Sequence, residues 1–341
     1  MGNVTYTVPN KSGSYDGDMV VKQYTSINID TGDTVTVEQP CRGLMILCQG
    51  DCTINGTLSM KARGPYANPT ANGSSSNDAV NSNGLRLPFL TASGTDSLTA
   101  AASLFTGCGT EAKSVISNFK TISSNGTIVT LVRQGASGGS GPSSSQQDGN
   151  NGSSGSTGQT GGGGSGGRGW SAGAGSGSYG SCFGGGSGAG GSNGNSAVSG
   201  SATAWSGPGG NGETDHSAST SGGCGNPAGA NEVTNGSAAA SENGTGGLII
   251  LVVGGNLTIG SGGTITADGS DSGSTQNGTT DWQASGGASG GGNIVIAYRG
   301  TYTNNGTVTA IGGTPGSVAS SSYAARGGFG GNGSVQTLQI K

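Results

Sequence analysis

The stretch GLIILVVGGNLTIGSGGTITADG, Gly247 to Gly269, opens on glycine and runs through six apolar residues. It turns on Gly254-Gly255 and continues into two short segments rich in Thr and Ile. Two other segments follow the same plan: GLMILCQGDCTINGTLSMKARG, Gly43 to Gly64, and GNIVIAYRGTYTNNGTVTAIGG, Gly292 to Gly313. Alternation of Thr with Val, Ile or Leu favours a half-buried pleated strand. Asn-Gly and Gly-Gly supply the positive φ of tight turns. FKTISSNGTIVTLVRQG, Phe119 to Gly135, reads as a partial fourth copy. Repeats of this kind cannot bury their apolar faces singly, so they stack on or pair with one another. The expected fold class is therefore all-β: a small repeat-built core, β-helix or β-sandwich like, contributed from distant parts of the chain. Its strand edges need cover, from each other or from partner subunits, and a homotrimer is one assembly that provides it.

Outward from these repeats the chain divides into three regions. Residues 1–134 form a β-rich region with an insert at 65–118. In that insert SLTAAASLF and TEAKSVISNF read either as short helices, with Asp96 and Thr110 as N-caps, or as ordered loop. Residues 135–245 are a Gly/Ser/Asn-rich insert. Residues 246–341 hold two strand repeats with Gly-rich loops at 269–291 and 312–333.

Composition limits the classes of function. Glycine fills 76 of 341 positions, and charged residues are 9% and aromatics 5%. A conventional Leu/Phe core is small for this length, so order must rest heavily on backbone hydrogen bonds. The net charge is −4, with no basic cluster, which removes the electrostatic footing for nucleic-acid binding and for attachment to a membrane surface. The longest apolar run, LIILVV, is too short to cross a bilayer. The N-terminus, MGNVTYTVPNKSGSYDG, lacks the charged and apolar regions of a secretory signal, so synthesis in the cytoplasm is expected.

Six cysteines, Cys41, Cys48, Cys52, Cys108, Cys182 and Cys224, form an even set in a core-poor chain, which suits disulfide staples. Cys48-x3-Cys52 has no matching second pair, so zinc is not expected. No metal and no cofactor is expected at all. Asp268-Gly-Ser-Asp-Ser-Gly lacks the terminal Glu of a calcium loop. The glycine runs contain neither a phosphate-binding loop nor a dinucleotide fingerprint.

The run GGGGSGGRGWSAGAGSGSYGSCFGGGSGAGG, Gly161 to Gly191, admits two readings: a flexible linker, or an ordered bundle of extended threefold helices of polyproline-II shape. Three features favour the bundle. The insert exceeds ordinary connection lengths, it carries aromatics that linkers avoid, and both its ends are anchored in strand repeats. A Cys182–Cys224 bridge would staple such a bundle. Loops at its tips would make an adaptable contact surface. The candidate contact residues are Arg168, Trp170, Tyr179, Phe183, Trp205 and His216, and packing against the bundle is the alternative role for each.

GGGGSGGRG and CFGGGSGAGG, beside a compact region, resemble the receptor-recognising adhesins at tail-fibre tips of tailed bacteriophages. The GNLTI and GTITADG repeats are similar to those of Gly-rich phage virion proteins and of β-helical bacterial adhesins. The resemblance covers roughly residues 136–341. It implies polyglycine-II helices whose connecting loops bind a host cell-surface receptor, protein or glycan. It further implies a non-enzymatic virion surface protein, released by lysis, that attaches to other virion proteins through residues 1–134. A structural virion component is the first alternative. A glycan-cleaving enzyme would need paired carboxylates, for which Asp268, Asp271 and Asp281 are the candidates. Glu213, Asp215 and His216 form a weak cluster with no nucleophile context. A Gly-rich antifreeze-like protein would show glycine at every third residue, a period the runs do not keep.

Overall fold

The computed structural model describes residues 2–11, 16–65, 123–124, 127–128, 135–169, 175–181, 183–191, 225, 244–274, 284–318 and 324–339. The possible helices of 65–118 lie outside these residues beyond Pro65. Among the described residues the fold is all-β, with no helix.

The chain makes four passes through three parallel sheets. β1 (Val4–Tyr6) precedes the first pass, which is β2 (Val20–Tyr24), β3 (Ile27–Ile29) and β4 (Thr34–Val37), and pairs alongside β4; the second pass is β5 (Leu44–Cys48), β6 (Cys52–Ile54) and β7 (Thr57–Ser59). Two short strands, β8 (Ser123–Ser124) and β9 (Thr127–Ile128), follow in sequence. The third pass is β10 (Leu248–Val253), β11 (Leu257–Ile259) and β12 (Thr264–Thr266). The fourth is β13 (Asn293–Tyr298), β14 (Tyr302–Asn304) and β15 (Thr307–Thr309), and β16 (Ser334–Gln339) ends the series. The first sheet has the order β16-β13-β10-β5-β2, the second β14-β11-β6-β3, and the third β1-β4-β7-β12-β15. Each pass visits the sheets in the same order and pairs in register with the next, as in Leu44↔Ile249 and Ile249↔Ile294.

Residue choice explains the three faces. The first-sheet strands LIILVV and NIVIAY are buried almost end to end, as expected where both faces of a parallel sheet are covered. In the second and third sheets every other residue turns inward: Ile54, Leu58, Leu257, Ile259 and Ile265 join the shared core, while Thr53, Thr57, Thr258 and Thr264 face out. The turn between these two sheets stacks glycine on glycine. A Cβ on Gly263 would lie 2.1 Å from the Ile54 carbonyl oxygen, and one on Gly306 would lie 2.3 Å from the Gly263 carbonyl oxygen. Side chains at these positions would push the passes apart.

Two elements depart from expectation. The segment from Phe119 is no further pass: β8 and β9 pair antiparallel with each other, Ser123↔Ile128, and join none of the three sheets. Conversely, residues 20–37 complete a full pass of the stack that lacks the opening glycine of the other repeats.

All the long inserts arise at one corner, between the third sheet and the first. They are 60–247, 267–292 and 310–333, and their described glycine-rich portions pack on one another without helix or pleated sheet. The segment 160–167 lies at the centre. Gly161, Gly164 and Gly167 donate to Gly291, Ala288 and Ser285; Gly162 and Ser165 donate to Ser153 and Asn150; Gly163 and Gly166 donate to Ser178 and Gly175. In return the segment accepts bonds from Ala136 and Gly139, from Gly186 and Ala189, and from Gly328 and Gly331. It therefore has six neighbouring segments, and the partner changes with a period of three residues. A Cβ on Gly163 would sit 2.0 Å from the Ser187 carbonyl oxygen. Only glycine permits this approach.

The corner glycines supply a paired test in one turn. Gly263→Ala should cost about 1–3 kcal/mol through overpacking. Gly262→Ala, whose Cβ would meet only the Asn55 carbonyl oxygen at 3.5 Å, should stay within about 0.5 kcal/mol of the parent. Urea unfolding of the two variants checks the difference.

Candidate binding surface

Each described Gly-rich segment runs away from the strand stack and has a near end and a far end. Gly161 bonds to Gly291, two residues before β13, whereas Gly167 bonds to Ser285. Residues near Ser285 therefore mark the far end. The described turn 141–148 lies there, because Gln147 and Arg168 exchange backbone hydrogen bonds (3.2 and 3.1 Å). The chain also leaves the described residues on this side at Gly169, Gly191, Ser274 and Val318, and returns on it at Gly175, Ala284 and Ala324.

One side of these packed segments is a layer of four, exposed or half-exposed. Asp148, Asn151 and Ser154 form one column; Arg326, Phe329 and Asn332 form the next. Ile311, Thr314 and Ser317 follow, then Asp268, Asp271 and Ser274. Polar members bind the neighbouring backbone. Asp148 Oδ1 accepts from Arg326 N (2.7 Å), Asn151 Oδ1 from Phe329 N (3.0 Å), and Ser154 Oγ from Asn332 N (3.2 Å). Asn332 Oδ1 accepts from Gly312 N (3.0 Å), and Ser274 Oγ accepts from Ser317 N (2.9 Å). Phe329 and Ile311 stand out of this polar layer at 49% and 51% exposure. The spacing of three is a correction to the sequence reading. Glycine keeps the period within individual described segments, as in Gly149, Gly152 and Gly155 or Gly161, Gly164 and Gly167.

The proposed contact residues separate. Arg168 is half-buried at the far end and its guanidinium donates to the Ser143 carbonyl, tying down the turn. Tyr179 is half-buried on the segment 175–181. Phe183 is 1% exposed, with the Arg42 guanidinium 5.8 Å from its ring centroid, and its neighbour Gly184 bridges to Gly247 at the base of β10. Phe183 therefore fastens the bundle to the stack and presents no surface. Trp170, Trp205 and His216 lie outside the described residues. Sequence reasoning missed Phe329 and Ile311, because exposure of an apolar residue in a glycine run has no local signal.

The acids are likewise placed. Asp268 accepts from Ile311 N (2.6 Å) through Oδ1 and from Thr309 Oγ1 (3.0 Å) through Oδ2, and Asp271 Oδ1 accepts from Thr314 N (2.6 Å). Each is a backbone acceptor joining successive passes. Asp281, Glu213 and Asp215 lie outside the described residues. Of the disulfide candidates, Cys41, Cys48 and Cys52 are buried thiols. Cys41 Sγ donates to the Gly43 carbonyl (3.5 Å), and burial pushes its thiol up to about 12. Cys108, Cys182 and Cys224 lie outside the described residues.

Comparison with protein-family models, with curated proteins and with solved structures gives no match to this chain.

The two phenylalanines make opposite predictions. Phe183→Ala should destabilise by about 3–5 kcal/mol, the cost of emptying a buried aromatic site. Phe329→Ala should change stability by no more than about 0.5 kcal/mol. Thermal and urea unfolding of the two variants checks the contrast.

Proposed function

We propose that the chain is a parallel β-helix carrying a polyglycine-II bundle, and that it serves as a receptor-binding protein on the surface of a tailed-bacteriophage virion. The observation that carries this reading is the common origin of the inserts. They leave the stack at one corner, and their described segments pair backbone to backbone with a period of three and run to a shared far end. A polyproline-II-shaped helix makes no internal hydrogen bonds, so its peptide groups need neighbours, and the six neighbours of 160–167 meet that need. Such a bundle holds its connecting loops at a fixed distance from the stack. Loops displayed on a rigid scaffold are the usual carriers of recognition.

In this reading residues 1–134 attach the chain to other virion proteins. The far-end turns, with Arg168 and Trp170, and the insert that begins after Gly191 and contains Trp205 and His216, meet a protein or glycan on the host cell. Aromatic side chains among Ser, Gly and Asn give adaptable contacts with rigid anchors. The mechanism is binding, with no bond made or broken. The alternative is a structural virion component that reinforces the particle and does not touch the host.

Adsorption of the labelled full-length protein to a panel of bacterial hosts tests the proposal. Selective binding is expected, with a loss of about tenfold or more for Trp170→Ala or Trp205→Ala, on the scale of an interface hot spot. Phe329→Ala serves as a surface control that keeps binding. Retained incorporation into particles with no adsorption to any host would sink the adhesin reading and leave the structural one.

A further inference from the structure

The turn between the first and second sheets brings two thiols together. Cys48 is the last residue of β5 and Cys52 the first of β6; both face the shared core and both are buried. Cys48 Sγ lies across the turn, donating to the carbonyl of Gly50 (3.4 Å) and to that of Asp51 (3.3 Å), the residue preceding Cys52. The stack encloses the pair. Tyr24 and Ile27 pair with Cys48 and Cys52 on one side, and Val253 and Leu257 on the other. Only the turn itself faces solvent, with Gln49 and Asp51 exposed.

We propose that Cys48 and Cys52 are a redox-active pair that closes to a disulfide by exchange with a small-molecule disulfide of the glutathione class. The other described thiol does not share this placement: Cys41 Sγ bonds to a backbone carbonyl at the opposite end of β5. The asymmetry within the pair assigns the order of attack. Cys52 hydrogen-bonds to the Cys48 sulfur, which draws the Cys48 thiol down to about 7 against the burial that raises it; the same contact, with burial, pushes Cys52 up. Cys48 is the attacking thiolate.

The exchange has two steps. The Cys48 thiolate attacks one sulfur of the small disulfide, forming a mixed disulfide and expelling one thiolate, which takes up a proton. Cys52 then loses its proton to solvent as its sulfur attacks the Cys48 sulfur, forming the Cys48–Cys52 bond and expelling the second thiolate. The two cysteines lose two electrons and two protons, and the small disulfide becomes two thiols. The turn is short enough for the closed form to fasten the second pass at its corner. The chain would remain open in a reducing compartment and close in an oxidising one.

The test uses the full chain, purified under reductant and equilibrated natively with mixtures of oxidised and reduced glutathione. Free thiols are then alkylated and the peptides mapped by mass spectrometry. The expected result is an internal disulfide between Cys48 and Cys52, reversed by excess reductant and retained in Cys41→Ser. In Cys52→Ser a glutathione adduct should accumulate on Cys48, while in Cys48→Ser none should form on Cys52. Alkylation of both residues at every ratio, closure only after denaturation, or pairing of either with another cysteine would overturn the proposal. Mapping of the unsubstituted chain decides this even if a variant fails to fold.

Discussion

The structure depends on pairing backbone groups between segments far apart in the chain. A composition with so few large apolar residues cannot fill a large core, so the peptide groups themselves must be matched. The strand stack does this by parallel ladders. The bundle does it by giving each segment several neighbours. Both need backbones to approach closely, and both place glycine where a Cβ would meet a carbonyl oxygen. Gly263 at a corner of the stack and Gly163 inside the bundle are two cases of one constraint.

The stack and the bundle are one construction. Every pass that ends on the third sheet can return to the first either directly, as in residues 38–43, or through a Gly-rich excursion. The excursions leave side by side because the passes lie in register, and their proximity lets them pair. The register of the strands is thereby carried into the bundle. Asp268 and Asp271 show the continuity: each bonds a backbone N–H of the next pass, Ile311 and Thr314, forty-three residues further on. Phe183 and Arg42 fasten the junction from the other side.

The described aromatics divide between the interior of the scaffold and its surface. A buried ring such as Phe183 fixes the scaffold, whereas an exposed one such as Phe329 sits on a layer whose polar side chains are already engaged with backbone. The described far-end turn 141–148 is different, since there the Arg168 side chain bridges to a loop carbonyl, that of Ser143.

Much of the stack was legible in the residues themselves. Alternation of Thr with Ile or Val, the glycine turns, and the doubly apolar LIILVV and NIVIAY runs all report local conformational preference, which neighbouring residues suffice to set. The pass at 20–37 was legible in principle, through Ile27-Asn-Ile and Thr34-Val-Thr, but Lys22 and Gln23 interrupt its apolar run. The strands β8 and β9 show the limit from the other side: their residues match a repeat, yet they pair with each other. What only the tertiary structure decided was which segments are neighbours. Cys48 pairs with Val253 across two hundred residues, and 160–167 sits at the centre of its bundle rather than at the edge. The physical reason is that glycine backbones carry identical donors and acceptors and no side chain to distinguish partners. Their pairing is set by where the strand stack releases and recaptures the chain, and so is the burial of Phe183 and the exposure of Phe329.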